Sequence, residues 1–369
     1  MTENIKVGVI GTGFGQKVHI PGLQAHHRTQ VVAVYHRDLA KAREIAESHQ
    51  IPQACGTIEE LVNLPDLDAV TIATPPFLHY EMAKTVLAAG KHLLLEKPTT
   101  LTATQAKKLY HLAAENGVVA TMDFEYRFVP PWQRLAELMG EGYVGKPRLI
   151  TIDWLMSSRA NPDRPWNWYA QKEKGGGALG ALGSHTFDYI AWLFGSARRL
   201  SAKLATSILE RPDPAQGGKL KPVDADDTCF ATLELTDGTP VQVSITSVAA
   251  NGRGHWVEVY GDKGTLVLGS ENQKDYVHGF KLWGSQGGEP MQELSIPDRL
   301  EFPHAYPDGR LAPFLRVVDG WVQGIDRGEA LTPSLRDGVY SQLLMDLTHE
   351  SNEKECWVDV PELDVFLET

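Results

Sequence analysis

Apolar positions along the chain follow two rhythms, and the change between them divides it. Short β-branched runs at Ile5–Ile10, Val31–Tyr35, Val70–Ala73, His92–Leu95 and Val118–Met122 alternate with stretches of helical spacing. Those stretches are Leu39–Ser48, one from His79 to Gly90, and one opened by Thr102 and Gln105 at capping-box spacing and closed by Asn116-Gly117. Strands alternating with helices in this way predict an α/β domain, a doubly wound parallel sheet, over residues 1–123.

Past residue 123 the spacing predicts a helix at Pro131–Met139, a strand at Arg148–Trp154 and a loop rich in tryptophan and arginine. A helix from Ala178 to Phe194, closed by Gly195, precedes strands at Cys229–Leu235, Val241–Val248, Val257–Tyr260 and Thr265–Leu268. Thr236-Asp-Gly238 and Asp262-Lys-Gly264 suit hairpin turns, and two more helices follow at Pro313–Arg327 and Ser334–Ser351. Residues 124–369 therefore read as one α+β domain, a mostly antiparallel sheet with flanking helices. The segment Glu210–Asp227, rich in Pro, Gly and Asp, reads as a surface loop within it.

Composition narrows the function classes. With 42% apolar and 22% charged residues over 369, the chain has ample core for two domains and is neither disordered nor fibrous. No apolar run approaches the roughly 18 residues of a membrane span, and the N-terminus enters a strand without a signal-peptide core. Cys55, Cys229 and Cys356 are too scattered for a disulfide framework or a metal cluster, which points to the reducing cytoplasm. The formal net charge of −12 opposes a nucleic-acid partner and leaves a small molecule as the expected ligand.

Gly11-x-Gly13, directly after a strand, is where a dinucleotide-binding turn needs glycine: the first for the tight turn, the second so that backbone can approach a pyrophosphate. In Gly11-Thr-Gly-Phe14-Gly15 the third glycine falls one position before the fingerprint's, which is Gln16. The second strand ends in Tyr35-His36-Arg37-Asp38. Asp38 fits the N-cap of the following helix, whereas His36 and Arg37 suit a 2′-phosphate, so NADP is favoured over NAD. No His-Glu-x-x-His motif or other ligand spacing calls for a metal.

Further strings carry a resemblance. Ala73-Thr74-Pro75-Pro-Phe-Leu-His79, Gly90-Lys-His-Leu-Leu-Leu-Glu96-Lys97-Pro98, Tyr126-Arg127-Phe128, Gly175-Gly-Gly-Ala-Leu, His185-x-x-Asp188 and Val259-Tyr-Gly-Asp-Lys-Gly-Thr-Leu266 occur in this order. Together they resemble the Gfo/Idh/MocA oxidoreductases over nearly the whole chain. The resemblance implies a Rossmann domain, a C-terminal domain with a large open sheet, and a nicotinamide cofactor bordered by Thr74, Pro75, His79, Glu96 and Lys97. It also implies a cis Lys97–Pro98 bond.

Lys97 follows a strand at the edge where such sheets bind ligands. An ammonium there, its pKa lowered by burial or a nearby positive ring, can share the proton of a reacting oxygen. His185 stands one helical turn from Asp188, whose carboxylate could orient the imidazole, and the resemblance makes it the second acid/base. Many members carry an Asp four residues before this His; here it is Ala181. Tyr126, Arg127, Trp154, Trp166 and Trp168 lie in segments that by resemblance border the substrate, with ordinary core packing as the alternative.

The leading expectation is hydride transfer to or from a hydroxyl-bearing carbon of a sugar, polyol, cyclitol or related compound. Reduction of a C=C or imine bond, as in biliverdin reductases, stands beside it, as do a non-catalytic dinucleotide-binding sugar sensor and a redox glycosidase. An open sheet would expose apolar surface, so a homodimer or homotetramer through that sheet is expected.

Overall fold

In a computed structural model of the chain, which describes residues 4–272 and 278–369, the N-terminal apolar runs become a six-stranded parallel sheet. Its strands are β1 (Ile5–Ile10), β2 (Thr29–Tyr35), β3 (Gln53–Cys55), β4 (Ala69–Ile72), β5 (His92–Leu95) and β6 (Ala120–Met122), in the order β3-β2-β1-β4-β5-β6. Val7, Val9, Ile10, Val70, Ile72 and Leu93 to Leu95 are completely buried, as a sheet covered on both faces requires. Strand order reverses between β1 and β4, so ligands are expected beyond their carboxyl ends, next to Gly11 and Thr74. β3 and the short helix Ile58–Val62, opened by a Thr57/Glu60 capping box, complete the pattern.

The chain divides into two compact units, residues 1–125 with 304–342, and 126–303 with 343–369. Residues 304–342, which the sequence pattern assigns with the rest of 124–369 to the second domain, belong to the first. Helix Leu311–Arg327 joins the first unit because Gly22 leaves room for the Phe314 ring; an added Cβ would lie 2.5 Å from it. Arg28 donates to both carboxylate oxygens of Asp326 at 2.9 Å, and His26 Nε2 lies 3.0 Å from Asp319 Oδ1. Farther on, the Thr99 hydroxyl donates to the Gly338 carbonyl at 3.0 Å, and Ser334 bridges to Thr121 of β6. Helical spacing reveals which face is buried, not which sheet buries it.

The second unit is built on β7 (Pro147–Leu155), β8 (Ala197–Ala205), β9 (Glu210–Asp213), β10 (Lys219–Pro222), β11 (Thr228–Leu235), β12 (Pro240–Thr246), β13 (Gly254–Gly261), β14 (Gly264–Ser270), β15 (Lys281–Gln286), β16 (Gln292–Glu293) and β17 (Val358–Asp359). Nine of these form one sheet in the order β16-β15-β14-β13-β7-β12-β11-β8-β17, antiparallel except for the parallel pair β7 and β12. One face carries buried Ile150, Ile152, Trp154, Val241, Val243, Val257 and Val259; the alternate positions Thr151, Asp153, Gln242 and Glu258 are more exposed. Helix Pro130–Gly140 packs over β14 and β15, and the turn Leu179–Gly183 over β11 and β12. β9 and β10 pair as a separate ribbon, so the Glu210–Asp227 segment is a hairpin rather than a loop. Its sequences, Glu-Arg-Pro-Asp and Lys-Leu-Lys-Pro, carry no apolar alternation that could have announced it. No described helix is long and apolar enough to cross a membrane.

Candidate active site

The first unit presents a dinucleotide-type turn. Gly11 has φ +117°, and a Cβ there would lie 2.4 Å from the Ala73 carbonyl oxygen, so only glycine fits. A Cβ on Gly13 would meet nothing within 4 Å, which leaves open room beside the backbone for a pyrophosphate. Gly15 takes the packing role of the third glycine; its Cβ would come within 3.4 Å of the Ala73 Cβ. The helix opens with a π turn, Gly15–His19, before the α-helical Ile20–Ala25. Half-buried Phe14 lies edge-on to His19, with the Arg310 guanidinium 5.0 Å from its ring.

At the end of β2, Asp38 Oδ1 accepts from the amides of Ala40 (3.0 Å) and Lys41 (3.5 Å), capping helix Leu39–Ser48. The amide of Asp38 donates to His36 Nδ1 at 3.0 Å. Arg37 is exposed and has no ion pair among the described residues.

Beyond β4 and β5 the loops carrying Thr74, Pro75 and Lys97 are tied together from inside. His79 is completely buried; its Nδ1 lies 2.8 Å from the Pro98 carbonyl oxygen and its Nε2 2.8 Å from that of Thr74. Burial pushes its pKa below the ordinary histidine value, and a neutral ring donates to one of these oxygens at a time. The Glu96 amide continues the ladder to the Ile72 carbonyl at 2.9 Å, and the Lys97–Pro98 peptide is cis. Lys97 itself is half-buried.

Under Lys97 lies a buried charged group absent from the sequence reading. His19 Nε2 is 3.2 Å from Glu96 Oε1 and 3.5 Å from Asp123 Oδ2, while Nδ1 is 2.6 Å from the Thr71 hydroxyl. Burial alone would lower the His19 pKa; hydrogen bonds and charge from Asp123 and Glu96 outweigh it and lift the value to about 9. Burial and the neighbouring Glu96 raise Asp123 to about 7. Burial would also raise Glu96, but His19 and then Lys97 hold it below the ordinary carboxylate range. The ligand atoms of His19, Glu96 and Asp123 lie within 4.8 Å of one another, a group that could hold a cation. A protonated imidazole supplies that positive charge without a metal.

In the second unit the glycine run is a tight crossing. A Cβ on Gly176 would lie 2.3 Å from the Tyr169 carbonyl oxygen, and one on Gly177 2.4 Å from Asp226 Oδ1. Asp226 Oδ2 accepts the Leu179 amide at 2.8 Å, at the start of the π turn Leu179–Gly183 that leads into helix Ser184–Phe194. Ala181 lies within that turn, and His185 follows, buried, with the Tyr126 ring edge-on at 4.9 Å. Tyr126 is itself enclosed by Trp132, Trp154 and His255, a core position.

Arg127 and Asp188 face each other: Nε donates to Oδ2 at 3.0 Å and Nη2 to Oδ1 at 2.5 Å, both side chains buried. The carboxylate expected to orient His185 is thus held by a guanidinium. Trp166 donates to the Pro222 carbonyl at 2.9 Å beneath the Lys221 ammonium, 3.4 Å from its ring centre. Half-buried Trp168 lies edge-on to Tyr169. His255, also absent from the sequence reading, stacks on Trp154 at 4.0 Å and meets the Tyr189 hydroxyl at 3.0 Å; burial takes its pKa down to about 3.

Residues 5–124 match a family model described as an oxidoreductase family NAD-binding Rossmann fold, and residues 136–360 match that family's C-terminal alpha/beta domain. The chain belongs to the Gfo/Idh/MocA oxidoreductase family. An uncharacterized oxidoreductase of Synechocystis sp. is 59% identical across 99% of both chains. Levoglucosan dehydrogenase of Pseudarthrobacter phenanthrenivorans is 28% identical, covering 98% of this chain and 99% of its own. A solved structure of a levoglucosan dehydrogenase in complex with NADH and levoglucosan superposes with a TM-score of 0.87 at 26% identity, over 98% of this chain and 100% of that one. Family membership makes the chain an oxidoreductase with an NAD-binding Rossmann domain, and its relatives include sugar dehydrogenases. Gly11 allows the tight turn, and Gly13 leaves the open room beside the backbone that a dinucleotide requires.

Proposed function

We propose that the protein is an NADP-preferring dehydrogenase of a sugar, cyclitol or related polyol, with Lys97 and His185 handling the substrate's proton. The observation that carries this reading is the placement of Lys97 just beyond β5, on a backbone fixed at both ends by buried side chains. The sugar class rests on relatives named levoglucosan dehydrogenase and D-xylose dehydrogenase.

The amides of the Gly11–Gly15 turn would hold the pyrophosphate, and Thr74 and Pro75 would border the remainder of the cofactor. His36 and Arg37 would take a 2′-phosphate; supporting this, Asp38 already caps its helix and Arg37 has no carboxylate partner among the described residues. When bound, the nicotinamide supplies the hydride acceptor or donor. The Lys97 ammonium hydrogen-bonds the reacting oxygen and exchanges its proton, and His185 serves as the second acid/base. Arg127, Asp188 and Tyr126 then act behind the substrate, by fixing the elements around His185. Trp166 and Trp168 offer aromatic surface for sugar C–H faces. Reduction of a C=C or imine bond is the second reading, favoured by Ala181, which supplies no carboxylate beside His185.

Assembly through the second unit's sheet is part of the proposal, supported by exposed Leu149, Phe230 and Tyr260 on its strands. A cytoplasmic setting and the absence of a nucleic-acid partner follow the scattered cysteines and the net charge of −12.

The deciding experiment is turnover of sugars, polyols and tetrapyrroles by wild type, Lys97→Ala and His185→Ala with each cofactor. Lys97→Ala should lose at least about 100-fold in kcat; undiminished activity would remove its role. Tight cofactor binding with no turnover of any compound would favour the sensor, and equal NADPH and NADH affinities would end the role given to Arg37.

A further inference from the structure

Glu96 and Lys97 are neighbours in sequence, yet the Glu96 carboxylate points in two directions. Its Oε1 meets His19 Nε2 at 3.2 Å, and its Oε2 accepts the Lys97 amide at 3.2 Å. His19 is the last residue of the π turn that Gly15 opens, so it moves with the glycine turn. On the far side of Lys97 the Pro98 carbonyl meets His79, whose other nitrogen faces Thr74. Each flank of the lysine is therefore joined, through one buried histidine, to a loop assigned above to the dinucleotide.

We propose that His19 is a positioning residue for Lys97, acting through Glu96, and that it links the glycine turn to the lysine's backbone. The inference rests on the role given to Lys97 above. A buried carboxylate with no counter-charge takes up a proton, and one of its oxygens then becomes a donor. Protonated His19 keeps Glu96 ionised, with both oxygens accepting, so the Lys97 amide retains its partner. The Thr71 hydroxyl fixes the other ring nitrogen, Asp123 shares the positive charge, and the Phe314 ring lies 4.4 Å from the imidazole, so the ring has one orientation. Seating an anion on the glycine turn and aiming the lysine thereby become one mechanical event. A salt bridge that served stability alone would leave the lysine's reactivity unaltered when it was removed.

The test compares His19→Phe, which keeps a ring beside Phe314 but removes charge and donors, with His19→Gln, which restores an N–H donor toward Glu96. Two readouts apply: kcat and KM on the best compound found, and the pH profile of Lys97 acetylation by acetic anhydride with and without NADPH. The second needs no substrate. His19→Phe should keep NADPH affinity within about threefold, lower kcat about tenfold or more with little change in KM, and displace the acetylation profile; His19→Gln should recover most of both. A folded His19→Phe protein with wild-type kcat and acetylation profile overturns the proposal. So does stoichiometric metal that leaves with the imidazole. If His19→Phe does not fold, Glu96→Gln carries the same readouts, and a wild-type profile there is equally fatal. Lys97→Ala separates the two failures. Full turnover in Lys97→Ala removes the role of Lys97 itself, whereas loss there beside wild-type behaviour in His19→Phe removes only the link.

Discussion

His19 in the first unit and His255 in the second are both fully buried, yet they are driven to opposite charge states. His19 lies between two carboxylates and is lifted to about 9; His255 lies among Trp154, Tyr126 and Trp132 and is driven down to about 3. Burial penalises the charged ring in both places, so the neighbours decide the outcome. The first unit buries a charge network next to its candidate lysine, Lys97. The second places its candidate histidine, His185, against the rings of Tyr126 and Trp154, and pairs Asp188, on the same helix as that histidine, with the buried Arg127.

The sharpest way to break this comparison is to remove one member of the charged group. Glu96→Leu leaves an imidazolium with only Asp123 beside it, and breaking a buried pair in this way costs about 3–5 kcal/mol. Urea unfolding at neutral pH should show that loss. A loss below about 1 kcal/mol would mean that the network holds little of the fold together.

The next effect is the direction of pH dependence. His19 rises from 6.5 to about 9 on folding, so its stabilisation is complete below pH 6.5 and is lost as pH rises through 9, about 3 kcal/mol in all. Asp123, raised from 3.8 to about 7, adds to the loss in the same direction. His255 falls from 6.5 to about 3, so its contribution is complete above pH 6.5 and is lost as pH drops toward 3. His19→Phe should therefore flatten the alkaline limb of the stability profile, and His255→Phe the acid limb. If both variants flattened the same limb, the assigned charge states would be wrong.

Legibility in the sequence followed the range of the interaction. Five of the six parallel strands could be read because each is a local apolar run, and Gly11 because it directly follows the first of them, where the structure admits no side chain. β3 and helix Ile58–Val62 are too short for periodicity, although Thr57 and Glu60 did carry a capping signal. Pairings across the chain left no local trace. His19 and Glu96 are 77 residues apart, Arg127 and Asp188 61. The spacing of Asp188 suggested a partner one helical turn away, and gave no sign of the guanidinium 61 residues back that holds its carboxylate. His255 was the recoverable omission. Alternation along β13 puts it on the buried face with Val257 and Val259, and that signal lay in the strand pattern itself.

The smallest expected effect is the one that isolates the aromatic side of the comparison. His255→Phe keeps a flat ring against Trp154 and removes one hydrogen bond, the contact with the Tyr189 hydroxyl at 3.0 Å. That hydroxyl still has the Thr186 hydroxyl at 3.1 Å, so no buried donor is orphaned and no charge is stranded. The cost should be about 1 kcal/mol in urea unfolding at neutral pH, with near-ultraviolet circular dichroism preserved. A cost matching that of Glu96→Leu would show that His255 carries more than a neutral ring's share, and would place a charge inside the aromatic cluster. A cost near zero would mean that the Trp154 stack alone fixes this position, leaving the imidazole nitrogens free to have been selected for something other than stability.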